Sequence, residues 1–157
     1  MTASSIHIRI AQRSDVVRIS RLICRSVNEI LSPDYSSHQI ILWKKYYAPN
    51  EIKNFMKSGV FFIAEKGNRM IGTLGLRENE IFGMYVAWNR IRKGIGSELM
   101  NHASAYCRKK GMKSIRLISI PRANGFYLEH GFKQKRKRIV TYGENPFEQI
   151  YLEKMFN

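Results

Sequence analysis

The chain has 157 residues, with 27 Lys and Arg against 12 Asp and Glu, a formal net charge of +15, 44% apolar residues and 25% charged ones. That length and balance suit one globular domain over residues 1–157 with a buried core, and the positive excess makes anions the expected partners: phosphorylated cofactors, nucleic acid, acidic proteins or anionic lipid. No run reaches the length of a membrane span, the polar Met1–Ser5 start lacks the form of a signal peptide, and Cys24 and Cys107 lie too far apart for a paired-cysteine metal or redox motif; a cytoplasmic, reduced protein is expected.

Ile6, Ile8 and Ile10 alternate with His7 and Arg9, the pattern of a half-buried strand. Ser14-Asp15 offers an N-cap to a first helix whose face carries Val16, Ile19, Leu22, Ile23, Val27 and Ile30, closed by Pro33. Ser36 or Ser37 caps a second helix with His38, Ile41, Leu42, Trp43 and Tyr46; Pro49-Asn50 breaks it, and Glu51–Met56 reads as a further helical piece. The character then changes to an antiparallel meander: Val60–Ala64, a turn at Lys66-Gly67-Asn68, Arg69–Leu76, a turn at Arg77–Asn79, and Glu80–Val86. A helix over Ile95–Lys110 stops at Gly111, Ser114–Ser119 is a strand, Ala123–His130 a short helix, and Phe132–Tyr142 and Gln149–Phe156 close the chain as a strand pair around Gly143–Pro146. The two cysteines fall within helical patterns and read as small core or half-buried residues.

The stretch Met84–Met100 organises the rest. A strand end runs into a basic turn in which Arg90, Arg92 and Lys93 crowd around Gly94 and Gly96, and a helix follows with Ile95, Leu99, Ala103 and Tyr106 at helical spacing. The first amides of a helix lack intrahelical acceptors, its dipole favours negative charge there, and glycines admit close approach. The stretch reads as a phosphate cradle, or as a plain helix start after a glycine turn.

Two motifs together resemble the GNAT N-acetyltransferase superfamily: Met84-Tyr85-Val86 followed by Arg92-Lys93-Gly94-Ile95-Gly96-Ser97, and Ala123-Asn124-Gly125-Phe126-Tyr127 running on to Gly131-Phe132. The helix Ser36–Tyr46 is similar to that of a branch of small bacterial members. The resemblance covers essentially the whole chain. It implies an α/β (α+β) domain with a mixed, mostly antiparallel sheet of about six to seven strands flanked by about four helices, splayed between the strand ending at Val86 and the one near Ile115–Ser119 to admit acetyl-CoA. It implies further that Arg92, Lys93, Gly94, Ile95, Gly96 and Ser97 hold the pyrophosphate. Met84, Tyr85 and Val86 would pair their main chain with the pantetheine, and an N–H there would stabilise the oxyanion.

By the same resemblance Tyr127 protonates the departing thiolate; a phenol, with an ordinary pKa of about 10, keeps its proton at neutral pH. Glu80 is the positional match for a general base, Glu78 the second, and His38 a further basic group. Tyr35, His38 and Trp43 fall on the acceptor side, which the segment Asp34–Tyr47 and the hairpin near Tyr142–Phe147 would wall. Two positions depart from the pattern. Ile91 stands where Gln or Arg is usual, with Arg92 or Arg90 as replacements of the charge; Ile120 stands where Asn or Ser is usual, with Ser119 or Asn124 as substitutes. The cradle relies on backbone, which neither departure touches.

The implied activity is direct transfer of acetyl from acetyl-CoA to an amine-bearing acceptor, small molecule or protein, without a metal, by a monomer or homodimer away from the membrane. The dense basic run Lys133–Arg138 supports the rival reading of a nucleic-acid-binding module, and the two departures that of a non-catalytic CoA-binding protein. Strand alternation sends the side chains of that run to opposite faces, which suits a guarded sheet edge better than a single groove.

Overall fold

Every strand foreseen in the sequence forms, and together they make one sheet. The computed structural model describes residues 5–157, so the reading of the polar start falls almost wholly outside the described residues. The strands are β1 (Ile6–Ile10), β2 (Val60–Lys66), β3 (Arg69–Arg77), β4 (Glu80–Val86), β5 (Ser114–Ser119), β6 (Lys133–Tyr142) and β7 (Asn145–Met155). They lie side by side in the order β1-β2-β3-β4-β5-β7-β6, antiparallel throughout except where β5 runs parallel to β4. The helices are α1 (Val16–Ser26), α2 (Ser37–Tyr46), α3 (Pro49–Phe55), α4 (Ile95–Lys109) and α5 (Pro121–Glu129). Among the described residues no helix is long and apolar enough to cross a membrane.

The hydrophobic pattern dictates two cores, one on each face of the sheet. Val16, Ile19, Ile23 and Val27 of the first helical segment are buried with Ile40, Ile52, Phe61 and Ile63, so α1–α3 cover one face of β1–β4. Ile95, Leu99, Met100, Ala103 and Cys107 of α4 are buried on the other face with Phe62, Leu74, Ile115, Leu117, Ile150 and Leu152. Gly72 permits the close seating of α4: a Cβ there would stand 2.9 Å from Leu99 and 3.0 Å from Ile95.

Several boundaries differ from the sequence reading. Asp15 stands at the N-cap of α1 but makes no side-chain cap bond there: a turn of 3-10 helix over Arg13–Asp15, capped by Gln12, comes first, and the buried Asp15 carboxylate accepts the Gln12 N–H at 2.7 Å and pairs with Arg9. Pro49 does not break a helix but opens α3 at its first position, where a missing N–H costs nothing, and Pro121 opens α5 in the same way. The closing hairpin turns tightly at Gly143-Glu144, with Tyr142 paired to Asn145, so β7 begins earlier than Gln149. Ser36 caps α2 with a full capping box to Gln39.

Register shifts in the β2–β3, β3–β4 and β6–β7 pairs were not foreseen, and the second of them bears on the site. Thr73 pairs with Tyr85 but Gly75 with Phe82, so β4 carries an extra residue at Gly83-Met84; Gly83 takes φ 56, and its carbonyl accepts the Thr73 hydroxyl at 3.0 Å. The bulge resets the alternation along β4. Phe82 and Tyr85 pack on the α1–α3 face, while Ile81, Met84 and Val86 pack on the α4 face.

Beyond β4 one face of the sheet is covered, and α2 reaches the other only at the hairpin tip, where Trp43 packs on Phe147. Ile115, Leu117, Ile150 and Leu152 lie beneath α4 and α5, whereas Arg116 and Ile118, of opposite alternation, are exposed. The register places Tyr151 beside Ile118 and Arg136 beside Tyr151, so this open face runs from β5 to the edge strand β6.

Candidate functional site

β4 and β5 are paired over only two residues, Glu80 with Arg116 and Ile81 with Leu117, after which they part. The gap opens a cavity of about 750 Å³ lined by Met84–Val86 from one side and by Leu117–Ile120 and Tyr127 from the other. The Ala87 N–H donates to the Ile71 carbonyl at 2.8 Å, so by antiparallel alternation the main-chain groups of Val86 point away from β3 and into this gap. The Ser26 hydroxyl reaches the Val86 carbonyl at 3.0 Å, tying the end of α1 to the unpaired end of β4. An extended chain entering here would meet unpaired backbone groups, as at any exposed strand edge.

At the end of β4 the chain makes a short helical turn over Trp88–Arg90 and then a tight loop. Arg92 takes φ 61 and Gly94 φ 81, both left-handed, and the second is the N-cap of α4. The Glu98 N–H makes a helical bond, to the Gly94 carbonyl, so the amides of Ile95, Gly96 and Ser97 precede the intrahelical ladder. A Cβ on Gly96 would lie 3.2 Å from the Phe126 ring, and one on Gly94 would meet nothing within 4 Å. Free amides at a helix start, a basic loop and bare glycines suit the oxygens of a pyrophosphate. Asn124 Oδ1, on α5, is buried without a hydrogen-bond partner among the described residues, a further polar atom without a partner in the protein.

Tyr127 is buried, and its hydroxyl lies 3.5 Å from Met84 Sδ across the gap. Burial pushes its pKa above the ordinary value, so the phenol keeps its proton at neutral pH. Burial likewise pushes Tyr47 up to about 12 and Tyr85 well above its usual value. The Trp43 indole N–H donates to the Tyr85 hydroxyl at 2.7 Å, and Tyr35, Trp43 and Phe147 stand ring against ring, with Tyr142 packed on Phe147. Trp43, Tyr47, Tyr85, Tyr142 and Phe147 all line the cavity.

Of the sequence candidates, Trp43, Glu80, Met84, Tyr85, Val86 and Tyr127 line this cavity, whereas Tyr35, Asn124 and the helix-start residues Arg92–Ser97 lie outside its lining. Glu80 lines the cavity with its side chain 43% exposed, held 3.5 Å from Arg116 by an ion pair. Glu78 instead occupies the β3–β4 turn at φ 53, exposed, and His38 is exposed on α2; neither lines the cavity. Ile91 and Ile120 both line it, the first as an exposed apolar rim and the second as N-cap of α5.

His130 was overlooked. Its Nδ1 meets the Phe126 carbonyl at 2.8 Å, which requires a proton on Nδ1; in the neutral ring Nε2 then accepts, at 2.9 Å, the hydroxyl of Ser97 in the helix-start cradle. The signal was present in the spacing, since His130 stands one helical turn after Phe126. Among the described residues no group of three His, Cys, Asp or Glu is placed to hold a metal ion.

Residues 31–144 match the model of the acetyltransferase (GNAT) domain family. The fold is similar to that of the PaiA N-acetyltransferase from Thermoplasma acidophilum, solved in complex with coenzyme A, at a TM-score of 0.82 and 23% identity over 97% of this chain and 99% of that one. A GCN5-related N-acetyltransferase from Rhodopseudomonas palustris superposes at 0.89 with 16% identity over 99% of each chain. An N-acetyltransferase from Staphylococcus aureus Mu50 does so at 0.76 with 21% identity over 97% and 98%.

Proposed function

The chain belongs to the GNAT acetyltransferase family, and from that premise we propose that it moves the acetyl group of acetyl-CoA to a primary amine by direct attack in a ternary complex. One catalytic domain over residues 1–157 does the work. The observation that carries the reading is the parting of β4 from β5 directly beside the glycine-rich start of α4. A strand edge and a helix start, met in succession, suit the two ends of one long phosphorylated ligand.

Acetyl-CoA supplies the activated thioester. The amides of Ile95, Gly96 and Ser97, with Arg92 and Lys93 around them, bind its pyrophosphate, and Asn124 offers a further polar contact. The main chain of Met84, Tyr85 and Val86 aligns the pantetheine, and an N–H there stabilises charge on the acetyl oxygen. Glu80 removes the proton of the attacking amine, directly or through water, with Arg116 holding the carboxylate in place. Tyr127 gives its proton to the leaving sulfur; its raised pKa keeps that proton available across the neutral range. Tyr35 and Trp43 form the acceptor wall. The free thiols Cys24 and Cys107 support a reducing, cytoplasmic setting.

Calorimetric titration with acetyl-CoA should give saturable binding of one ligand per chain, and a screen of amines should find one that releases free thiol. No heat at millimolar cofactor would end the cradle reading. Thiol release that never depends on an amine would end the assignment of the acceptor.

A further inference from the structure

The α1–α3 side of β5, β7 and β6 is covered only at the hairpin tip, where Phe147 packs on Trp43 of α2; the rest of it is open and adjoins the acceptor side of the cavity. Arg116, Arg136 and Arg138 share this face with Tyr151, as the register of the three strands requires. Arg136 stands 4.2 Å and Arg138 5.1 Å from the centre of the Tyr151 ring. Among the described residues neither guanidinium has an ion-pair partner, unlike Lys135, which pairs with Glu153, and Lys137, which pairs with Glu148. Two unpaired guanidiniums gathered on one ring repel each other, and a bound anion between them would relieve that repulsion. A second cavity, of about 260 Å³, lies at this place, lined by Arg116, Lys135, Arg136 and Tyr151. It shares Glu80, Leu117 and Ile118 with the large cavity, so the two are neighbours along one wall.

We infer that this face docks an acidic segment of a peptide acceptor whose amine enters the large cavity beside Glu80. The inference rests on the acetyl-transfer reading above and names its substrate class. Glu80, Arg116, Tyr151 and Arg136 sit on successive neighbouring strands, three interstrand steps with a two-residue offset along β7, roughly 16 Å. An extended peptide covers that span with about five residues. Acidic side chains a few residues from the amine therefore reach the arginine pair while the amine reaches the carboxylate. Charge complementarity fixes the sign of the partner: Arg136 and Arg138 add unpaired positive charge to the side of a chain that is already +15. A nucleic acid fits less well, because Glu80 and Glu153 are interspersed among the cations lining the second cavity and would oppose a continuous phosphate backbone. A polycationic acceptor is disfavoured by the same field.

The test uses a fluorescent peptide beginning with lysine and continuing with three glutamates, its glutamine counterpart, and a short single-stranded RNA, each titrated into the full chain at physiological ionic strength. Acetyl-CoA-dependent acetylation of both peptides is followed in parallel. The acidic peptide should bind and react preferentially, and R136Q/R138Q should weaken it about tenfold. K109Q/K110Q, which removes the same charge from the end of α4, should leave it unchanged. Equal handling of the two peptides, or indifference to the arginine pair, overturns the inference, and acetylation of both would leave the transferase reading intact. Arginine-dependent binding without any acetylation retains the docking surface and overturns the amine-transfer reading instead. RNA that binds more tightly than the acidic peptide and is lost in the same variant would replace the peptide by a nucleic acid.

Discussion

The sheet has two unlike halves. From β1 to β4 it is covered on both faces, by α1–α3 and by α4, and its charged groups are tied together: Arg9 pairs with both Asp15 and Glu65. From β5 to β6 it is covered on one face, α2 reaching the other only at the hairpin tip, and that other face presents Arg136 and Arg138, which lack ion-pair partners among the described residues. The parting of β4 from β5 is the seam between them. A strand buried on both faces can be held apart from its neighbour because packing elsewhere fixes it; a strand with one open face is free to vary its outward side chains without loss of core. The covered half is suited to hold a constant ligand, and the open half to select a variable one.

This division predicts different consequences for substitutions on its two sides. The largest effect should come at the seam itself. If Tyr127 protonates the leaving sulfur, Tyr127→Phe should lower kcat about a hundredfold or more, while the dissociation constant for acetyl-CoA changes little. Wild-type turnover in the variant would take Tyr127 out of the mechanism and leave it as a core aromatic beside Phe126 and Phe132.

Within the covered half, Asp15→Ala takes from the Arg9 guanidinium one of its two carboxylate partners, 2.9 and 3.0 Å away, and leaves it Glu65. Chemical denaturation at pH 7 should register a loss of about 2 kcal/mol, the scale of hydrogen bonds to a charged group. The hydrogen bond from Arg9 holds the Asp15 carboxyl below its ordinary pKa, against the opposing cost of burial. That stabilisation is therefore present at neutral pH and is lost as pH falls below about 4, the unfolded-state range, toward the depressed folded value. The variant should lose this acid-side dependence. Undiminished stability, or an unaltered acid limb, would show that the covered half is not held by its charges. R136Q/R138Q on the open half should show the reverse, an altered substrate preference with stability unchanged.

The elements themselves were legible because their signals are local. Alternating Ile6, Ile8 and Ile10, the meander with its turn residues, and the glycines around α4 each determine structure over a few residues. The family resemblance then supplied the splay. What escaped depends on partners distant in sequence. The bulge at Gly83-Met84 has a local hint in the glycine inside β4, but its pairing is set against Thr73 and Gly75 on the neighbouring strand. Asp15 reads as a cap until Arg9 and Glu65 are brought beside it. The Ser97–His130 contact joins two helices separated by a strand. Of the proposed bases, Glu80 and Glu78 differ by two positions; the sharp turn turns Glu78 to solvent and leaves Glu80 at the cavity.

The smallest effect would sharpen the comparison most, since it concerns how the covered half holds the seam. Ser26 is buried and donates to the Val86 carbonyl across the end of β4. Ser26→Ala deletes one neutral hydrogen bond, and should reduce stability by about 1 kcal/mol. If α1 fixes the unpaired edge of β4, acetyl-CoA affinity should fall a fewfold in the same variant, because a looser edge must be ordered when the ligand binds. Denaturation and calorimetry on one preparation separate the two effects. A stability loss with unchanged affinity would mean that β3, through the Thr73–Gly83 and Ile71–Ala87 bonds, suffices to hold the edge, and that α1 contributes packing alone.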